Sequence, residues 1–135
     1  MLFGDEHVQV YEETGGAEGH IWLKDAPCLI LATTGRKSGK EYKSPLIYQQ
    51  HEGGYVIVAS KGGADDHPAW YKNLVAEPEV GVQVGPDTFT ARARTAGGRE
   101  RSELWSKMAQ VWPDYDNYQT KTDREIPVVV LEPVA

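Results

Sequence analysis

Cysteine is almost missing from this chain. Cys28 is the only one in 135 residues, so no disulfide can close within the chain. It lies in the apolar run 28–32 and reads as a buried, reduced thiol rather than a reactive one. Long apolar runs are also missing. The longest, 28–32 and 126–131, fall far short of the ~20 residues that span a bilayer. The opening Met1-Leu2-Phe3-Gly4-Asp5-Glu6-His7 lacks the basic start and apolar core of a secretory signal. A cytoplasmic protein without an integral membrane segment is the expectation. Positive charge is not in surplus either. The net charge of -6 argues against a general nucleic-acid binder, and any anionic ligand must be held by a local reversal of sign. His7, His20, His51 and His67 show no metal-ligand spacing, so no metal is expected. Gly-x-Ser-x-Gly and Gly-x-Gly-x-x-Gly motifs are absent.

What is present suits one globular domain over residues 1–135, with 40% apolar and 25% charged residues. A short helix is predicted over 6–13, stopped by Gly15 and Gly16. Strands are predicted over 29–34, 42–49, 55–60, 80–84, 89–94 and 126–131. Glu52-Gly53-Gly54 and Gly85-Pro86-Asp87 supply tight turns between neighbouring strands. A helix should enter near Pro68, capped by Asp65 or Asp66, present Tyr71, Leu74 and Val75 on one side, and end before Pro78. A second should run 100–112, with Leu104, Trp105, Met108, Val111 and Trp112 at helical spacing. Residues 115–122 form a short polar, aromatic segment. Strands joined by tight turns mean an antiparallel sheet, so the predicted class is mainly β (α+β): a barrel with helices packed outside.

Four segments carry chemistry. Gly35-Arg36-Lys37-Ser38-Gly39-Lys40, with Lys43 beyond it, puts four cations within eight residues of an acidic chain. Arg36 offers a planar fork for phosphate or carboxylate, and Lys37 and Lys40 offer point charges. By composition alone, a solvated turn is an equal reading. Ser60-Lys61-Gly62-Gly63 ends a strand with a hydroxyl, a cation and free amides, a set that suits a phosphate or a polar ring edge. A plain strand-to-helix loop is the alternative. Pro68-Ala69-Trp70-Tyr71-Lys72-Asn73 opens a helix, where Trp70 could stack on a flat ligand or fill core. Trp112-Pro113-Asp114-Tyr115-Asp116-Asn117-Tyr118 places two tyrosines three apart, on one face of a helical turn. They combine an apolar wall with hydroxyl donors; an amphipathic surface turn is the bland alternative.

Taken in order, these segments resemble the deazaflavin-dependent nitroreductase family. The similarity rests on Leu31-Ala32-Thr33-Thr34-Gly35-Arg36-Lys37-Ser38-Gly39 with Ser44-Pro45-Leu46, and on Val58-Ala59-Ser60-Lys61-Gly62-Gly63. It continues through Pro68 to Leu74, Tyr115 to Tyr118, Thr122-Asp123-Arg124 and Ile126 to Val130. It covers the chain from about Tyr11 onward. The resemblance implies a split β-barrel that binds coenzyme F420 and passes hydride from it to a quinone, enone or nitro compound. Arg36, Lys37, Ser38 and Lys40 would face the phosphate and oligoglutamate tail. Pro45, Leu46, Ser60, Lys61, Gly62, Gly63, Trp70 and Asn73 would line the deazaflavin. Trp112, Tyr115 and Tyr118 would border the substrate, with Tyr115, Tyr118 or Ser60 orienting the acceptor or supplying a proton. Trp112 stands where the nitroreductase carries a tyrosine, which weighs against nitroimidazole reduction. Tyr42 stands where many members carry an arginine, which removes one tail contact. An FMN-binding barrel and a non-catalytic deazaflavin carrier are the rival readings. Monomer and homodimer both stay open, as does peripheral membrane contact for a quinone reductase.

Overall fold

The computed structural model describes residues 2–134; Met1 and Ala135, the ends of the predicted domain, lie outside them. Helix α1 (Gly4–Thr14) starts the chain. It buries His7, Val8 and Tyr11 and stops at Gly15, whose φ of 59° lets the Gly16 amide reach back to the Tyr11 carbonyl at 2.8 Å. Strands β1 (Cys28–Thr34), β2 (Glu41–Ile47), β3 (Gln49–His51) and β4 (Gly54–Val58) follow. After α2 (Ala69–Ala76) come the hairpin β5 (Glu79–Val84) and β6 (Asp87–Thr95), then α3 (Gly98–Val111), α4 (Asp114–Thr120) and β7 (Val128–Pro133).

The strands form one antiparallel sheet in the order β2-β1-β5-β6-β7-β4-β3. The predicted strand 42–49 is in fact two pieces, β2 and β3, separated only by Tyr48. These pieces lie at opposite edges of the sheet. One residue can bridge the two edges only if the sheet curls until they meet, so Tyr48 is the corner of the barrel. Its side chain is buried, its amide donates to the Pro27 carbonyl at 3.1 Å, and its hydroxyl meets His20 Nε2 at 2.7 Å. Burial pushes the Tyr48 phenol up to about 12.

Residues 56–58 of β4 and 128–131 of β7 are an unbroken apolar run because both their faces are covered, and β7 turns polar only where Glu132 and Pro133 emerge exposed. Ile57, Val129 and Leu131 enter the barrel core with Leu29, Leu31, Leu74, Val80 and Val82. Val56, Val58, Val128 and Val130 point the other way, onto Leu104 and Met108 of α3 and onto Trp112 and Tyr115. Helices α3 and α4 are thereby fixed to the outside of the barrel.

Helix α2 departs from its predicted form. Val75 is exposed, while Asn73 and Leu74 are buried and Trp70 packs half-buried against the barrel core. Positions 70, 71, 73 and 74 face inward, so Tyr71 and Leu74 of the predicted stripe pack on the core and Val75 alone leaves it. Neither Asp65 nor Asp66 caps the helix, whose N-cap is Pro68 without a side-chain bond. Asp66 instead accepts from the His67 amide at 3.0 Å and from Lys72 Nζ at 2.8 Å. The third predicted strand stops at Val58, two residues short of Ser60.

Candidate cofactor and acceptor site

A cavity of about 680 Å³ opens between β2, the end of β4, and the α3–α4 corner. Eight predicted site residues line it: Pro45, Leu46, Ser60, Lys61, Gly62, Trp112, Tyr115 and Tyr118. The register of β2 on β1 explains part of this. Pro45 lies opposite Ile30, Leu46 opposite Leu29 and Ile47 opposite Cys28. Proline is tolerated there because β2 is an edge strand.

The turn after Ser60 is left-handed. Lys61, Gly62 and Gly63 have φ of 46°, 63° and 86°. Glycine enters this region freely, whereas Lys61 pays roughly 1–2 kcal/mol. Gly63 also leaves room for α4: a Cβ there would fall 2.6 Å from the Tyr118 carbonyl oxygen. The turn and the tyrosine helix are therefore in backbone contact.

On the far wall Tyr115 and Tyr118 meet edge to face, with ring centroids 6.1 Å apart. Trp112 donates its indole N–H to the Tyr118 hydroxyl at 3.3 Å. Tyr115 is buried, and desolvation raises its phenol well above the ordinary value. It is a poor acid at neutral pH.

The rest of the wall carries no signal in the sequence. Phe3, Gly4 and His7 from the N-terminal segment, and Trp22, also line the cavity. Trp22 stacks on Trp112 at 5.7 Å and 22°, and meets Phe3 edge-on at 5.4 Å. His7 is fixed by the Gly19 carbonyl at 2.8 Å from Nε2. Cys28 lines the same cavity as the buried thiol expected of it, its pKa pushed up to about 12 by burial.

The basic turn lies elsewhere. Gly35 and Lys40 close it through an amide–carbonyl bond of 2.7 Å. Asn73 anchors it: the amide and the Nη1 of Arg36 both donate to Asn73 Oδ1, at 3.2 and 2.9 Å. Asn73 in turn donates to Thr33 Oγ1 at 3.3 Å. Ser38 Oγ accepts from the Lys40 amide at 3.2 Å and shares a bond with the Tyr42 hydroxyl at 3.1 Å. Lys43, grouped with this turn by sequence, is taken by Glu12 and Glu41. Among the described residues no carboxylate pairs with Arg36, Lys37 or Lys40, all of them exposed. Arg36, Lys37, Ser38, Lys40, Asn73, Trp70 and Gly63 are not part of the cavity lining.

Strand β2 connects the two regions. It runs from Glu41, beside the basic turn, to Leu46 in the cavity wall. Those five steps cover about 17 Å at ~3.3 Å per residue. A ligand that used both ends would be long, flat and apolar at one end and anionic at the other.

A curled antiparallel barrel with a cavity at its edge strand, and free cations at the far end of that strand, defines a split-barrel protein of the kind that binds flavin-like cofactors. The chain belongs to the F420H(2)-dependent quinone reductase family, whose sequence profile matches residues 4–133. It is similar to an F420H(2)-dependent quinone reductase of Mycobacterium tuberculosis, with 40% identity over 128 residues covering 93% of this chain and 86% of the relative. Among solved structures, an F420-H2 dependent reductase (FDR-A) superposes with a TM-score of 0.73 at 45% identity, covering 78% of this chain and 94% of that one. A structure described as a domain-swapped dimer gives a TM-score of 0.75 at 41% identity, covering 93% and 92%. The protein is thus an oxidoreductase that uses coenzyme F420, as the resemblance implied. No helix among the described residues is long and apolar enough to cross a membrane.

Proposed function

We propose that this protein transfers hydride from reduced coenzyme F420 to a small quinone held against the Trp112–Tyr115–Tyr118 wall. The observation that carries this reading is the placement of cavity and basic turn at the two ends of β2. Arg36, Lys37, Ser38 and Lys40 hold the phosphate and glutamate tail. Each charge-assisted bond there contributes about 1.5–3 kcal/mol. Pro45, Leu46 and the Ser60–Gly63 turn hold the deazaflavin, with Lys61 at the cavity edge. Asn73 acts on the tail through Arg36, and Trp70 supports the helix that carries Asn73.

The bound deazaflavin supplies the hydride. The protein excludes water and aligns donor and acceptor. Tyr118 is the better candidate to orient the acceptor carbonyl and accompany it with a proton. Its ring is half-exposed at the cavity, whereas Tyr115 is sealed into the helix core. Ser60, at the mouth of the turn, offers a second hydroxyl.

The test is a titration of the protein with oxidised F420, read by tryptophan quenching, with FMN in parallel. Saturable F420 binding that weakens with salt, little FMN binding, and quinone-dependent oxidation of F420H2 are the expected results. Binding of FMN in preference to F420 would overturn the assignment, and F420 binding without turnover on any quinone would leave a carrier.

A further inference from the structure

Thr122-Asp123-Arg124 belongs to the sequence pattern but has no role in the site as built above. The structure assigns one: we propose that Arg124 is a positioning residue that staples the left-handed turn on which the deazaflavin ring rests. The inference depends on the reading of that turn as the ring site.

Four hydrogen bonds leave one guanidinium. Nε donates to the Ala64 carbonyl at 2.7 Å, Nη2 to the Ser60 carbonyl at 2.7 Å, and Nη1 to the Ala59 carbonyl at 3.3 Å. Nη1 also meets His67 Nδ1 at 3.1 Å. Ala59 and Ser60 precede the turn and Ala64 follows it, so the fork closes both ends of Lys61-Gly62-Gly63. A closed clamp is needed there. Lys61 sits in a region that non-glycine residues avoid, and two glycines give the backbone no preference of its own. The internal bonds of the turn are few: Gly63 N to Ser60 O at 2.9 Å and Ala64 N to Lys61 O at 3.1 Å.

The clamp itself is anchored. Gln119 of α4 donates to the Arg124 carbonyl at 2.8 Å and accepts from the Ile126 amide at 3.0 Å. Arg101 of α3 donates to the Ile126 carbonyl at 2.7 Å. The segment that presents Arg124 is therefore tied to the helix that carries Tyr115 and Tyr118. Arg124 sets the ring seat in register with the acceptor wall. Arginine fits this role because its planar fork spreads donors over three nitrogens that reach three separate carbonyls, whereas the three donors of a lysine radiate from a single atom.

The first readout needs no cofactor. Amide exchange is followed at Gly63 and Ala64 in the ligand-free wild type, Arg124→Ala and Arg124→Lys. The expected result is at least tenfold faster exchange at both amides in Arg124→Ala, a partial return in Arg124→Lys, and unchanged protection in β4 and β7. Wild-type exchange at both amides would overturn the staple. If Arg124→Ala does not fold, Arg124→Lys and Arg124→Gln decide by the same two amides. The second readout is binding of the deazaflavin riboside that lacks the phosphate and glutamate tail. Arg124→Ala should weaken its binding and that of intact F420 by a similar factor, roughly tenfold, which assigns the effect to the ring seat, while the unchanged protection in β4 and β7 separates it from general loosening of the fold. A loss seen only with intact F420 would place Arg124 with the tail instead. Failure of the wild type to bind either form would sink the cofactor assignment, while the exchange data would still judge the staple.

Discussion

At the scale of single residues, the proposed site separates affinity from chemistry. Arg36, Lys37 and Lys40 are exposed and, among the described residues, paired with no carboxylate, and they stand at the other end of β2 from the cavity. Arg36→Ala and Lys37→Ala should each raise the F420 dissociation constant about 10–100-fold, since a charge-assisted bond contributes ~1.5–3 kcal/mol and 1.4 kcal/mol is a factor of ten. The rate of hydride transfer at saturating cofactor should hardly change; rapid-mixing kinetics would check both. Tyr118→Phe should do the reverse, lowering turnover about 10–100-fold with cofactor affinity intact; wild-type turnover would remove its hydroxyl from the chemistry. His67 gives a pH signature. Burial, then the charge of Arg124, depresses its pKa below the usual 6.5. The unfolded chain therefore takes up the proton first on acidification. The stabilisation from neutral His67 is complete above about pH 6.5 and is lost as pH falls through the lower folded value. Melting curves between pH 7 and 5 should fall in the wild type and flatten in part in His67→Gln. Asp66 and Glu100, held low by Lys72 and Arg94, lose their contributions only further into acid.

At the scale of elements, some were legible in the sequence and some were not, and the reasons are local. The β5–β6 hairpin was plain because Val80, Val82 and Val84 alternate and Gly85-Pro86 turns the chain. Helix α3 was plain because Leu104 and Met108 repeat at helical spacing. The break at Tyr48 was not, since neither glycine nor proline marks it; a β-forming tyrosine turns the corner because the buried pocket at Pro27 and His20 receives it. The basic turn, the Ser60–Gly63 turn and the tyrosine pair could be named from residue types. Their separation could not, because it depends on the register of β2 on β1. His7, Trp22 and Arg124 escaped for the same reason: their roles come from contacts more than ten residues away. Asn73 looked like a ring contact and is a buried anchor for Arg36. A Gly63→Ala substitution probes the turn as an element. The added Cβ meets the Tyr118 backbone and φ is 86°, so thermal stability should drop by about 1–3 kcal/mol and F420 affinity with it, as calorimetry and titration would show.

At the scale of the whole molecule, the barrel is held shut by one corner. Tyr48 is the residue through which both sheet edges are covalently joined, and its ring packs on Tyr55 at 5.5 Å and on His20 at 5.8 Å. Tyr48→Ala should cost about 3–5 kcal/mol, the usual toll for emptying a large aromatic site, and denaturant titration would measure it. The cavity shares that corner's strand, so loosening there should reach the acceptor wall too.

Pro45 has one more consequence. An edge strand with free backbone groups invites a strand from another chain, and that is a common route to aggregation. Pro45 interrupts the row of donors along β2 where that strand borders the cavity, and its ring stands in the way of a continuous ladder. The same residue that lines the cavity, and on the proposed reading shapes a seat for a small flat molecule, keeps polypeptide from taking it.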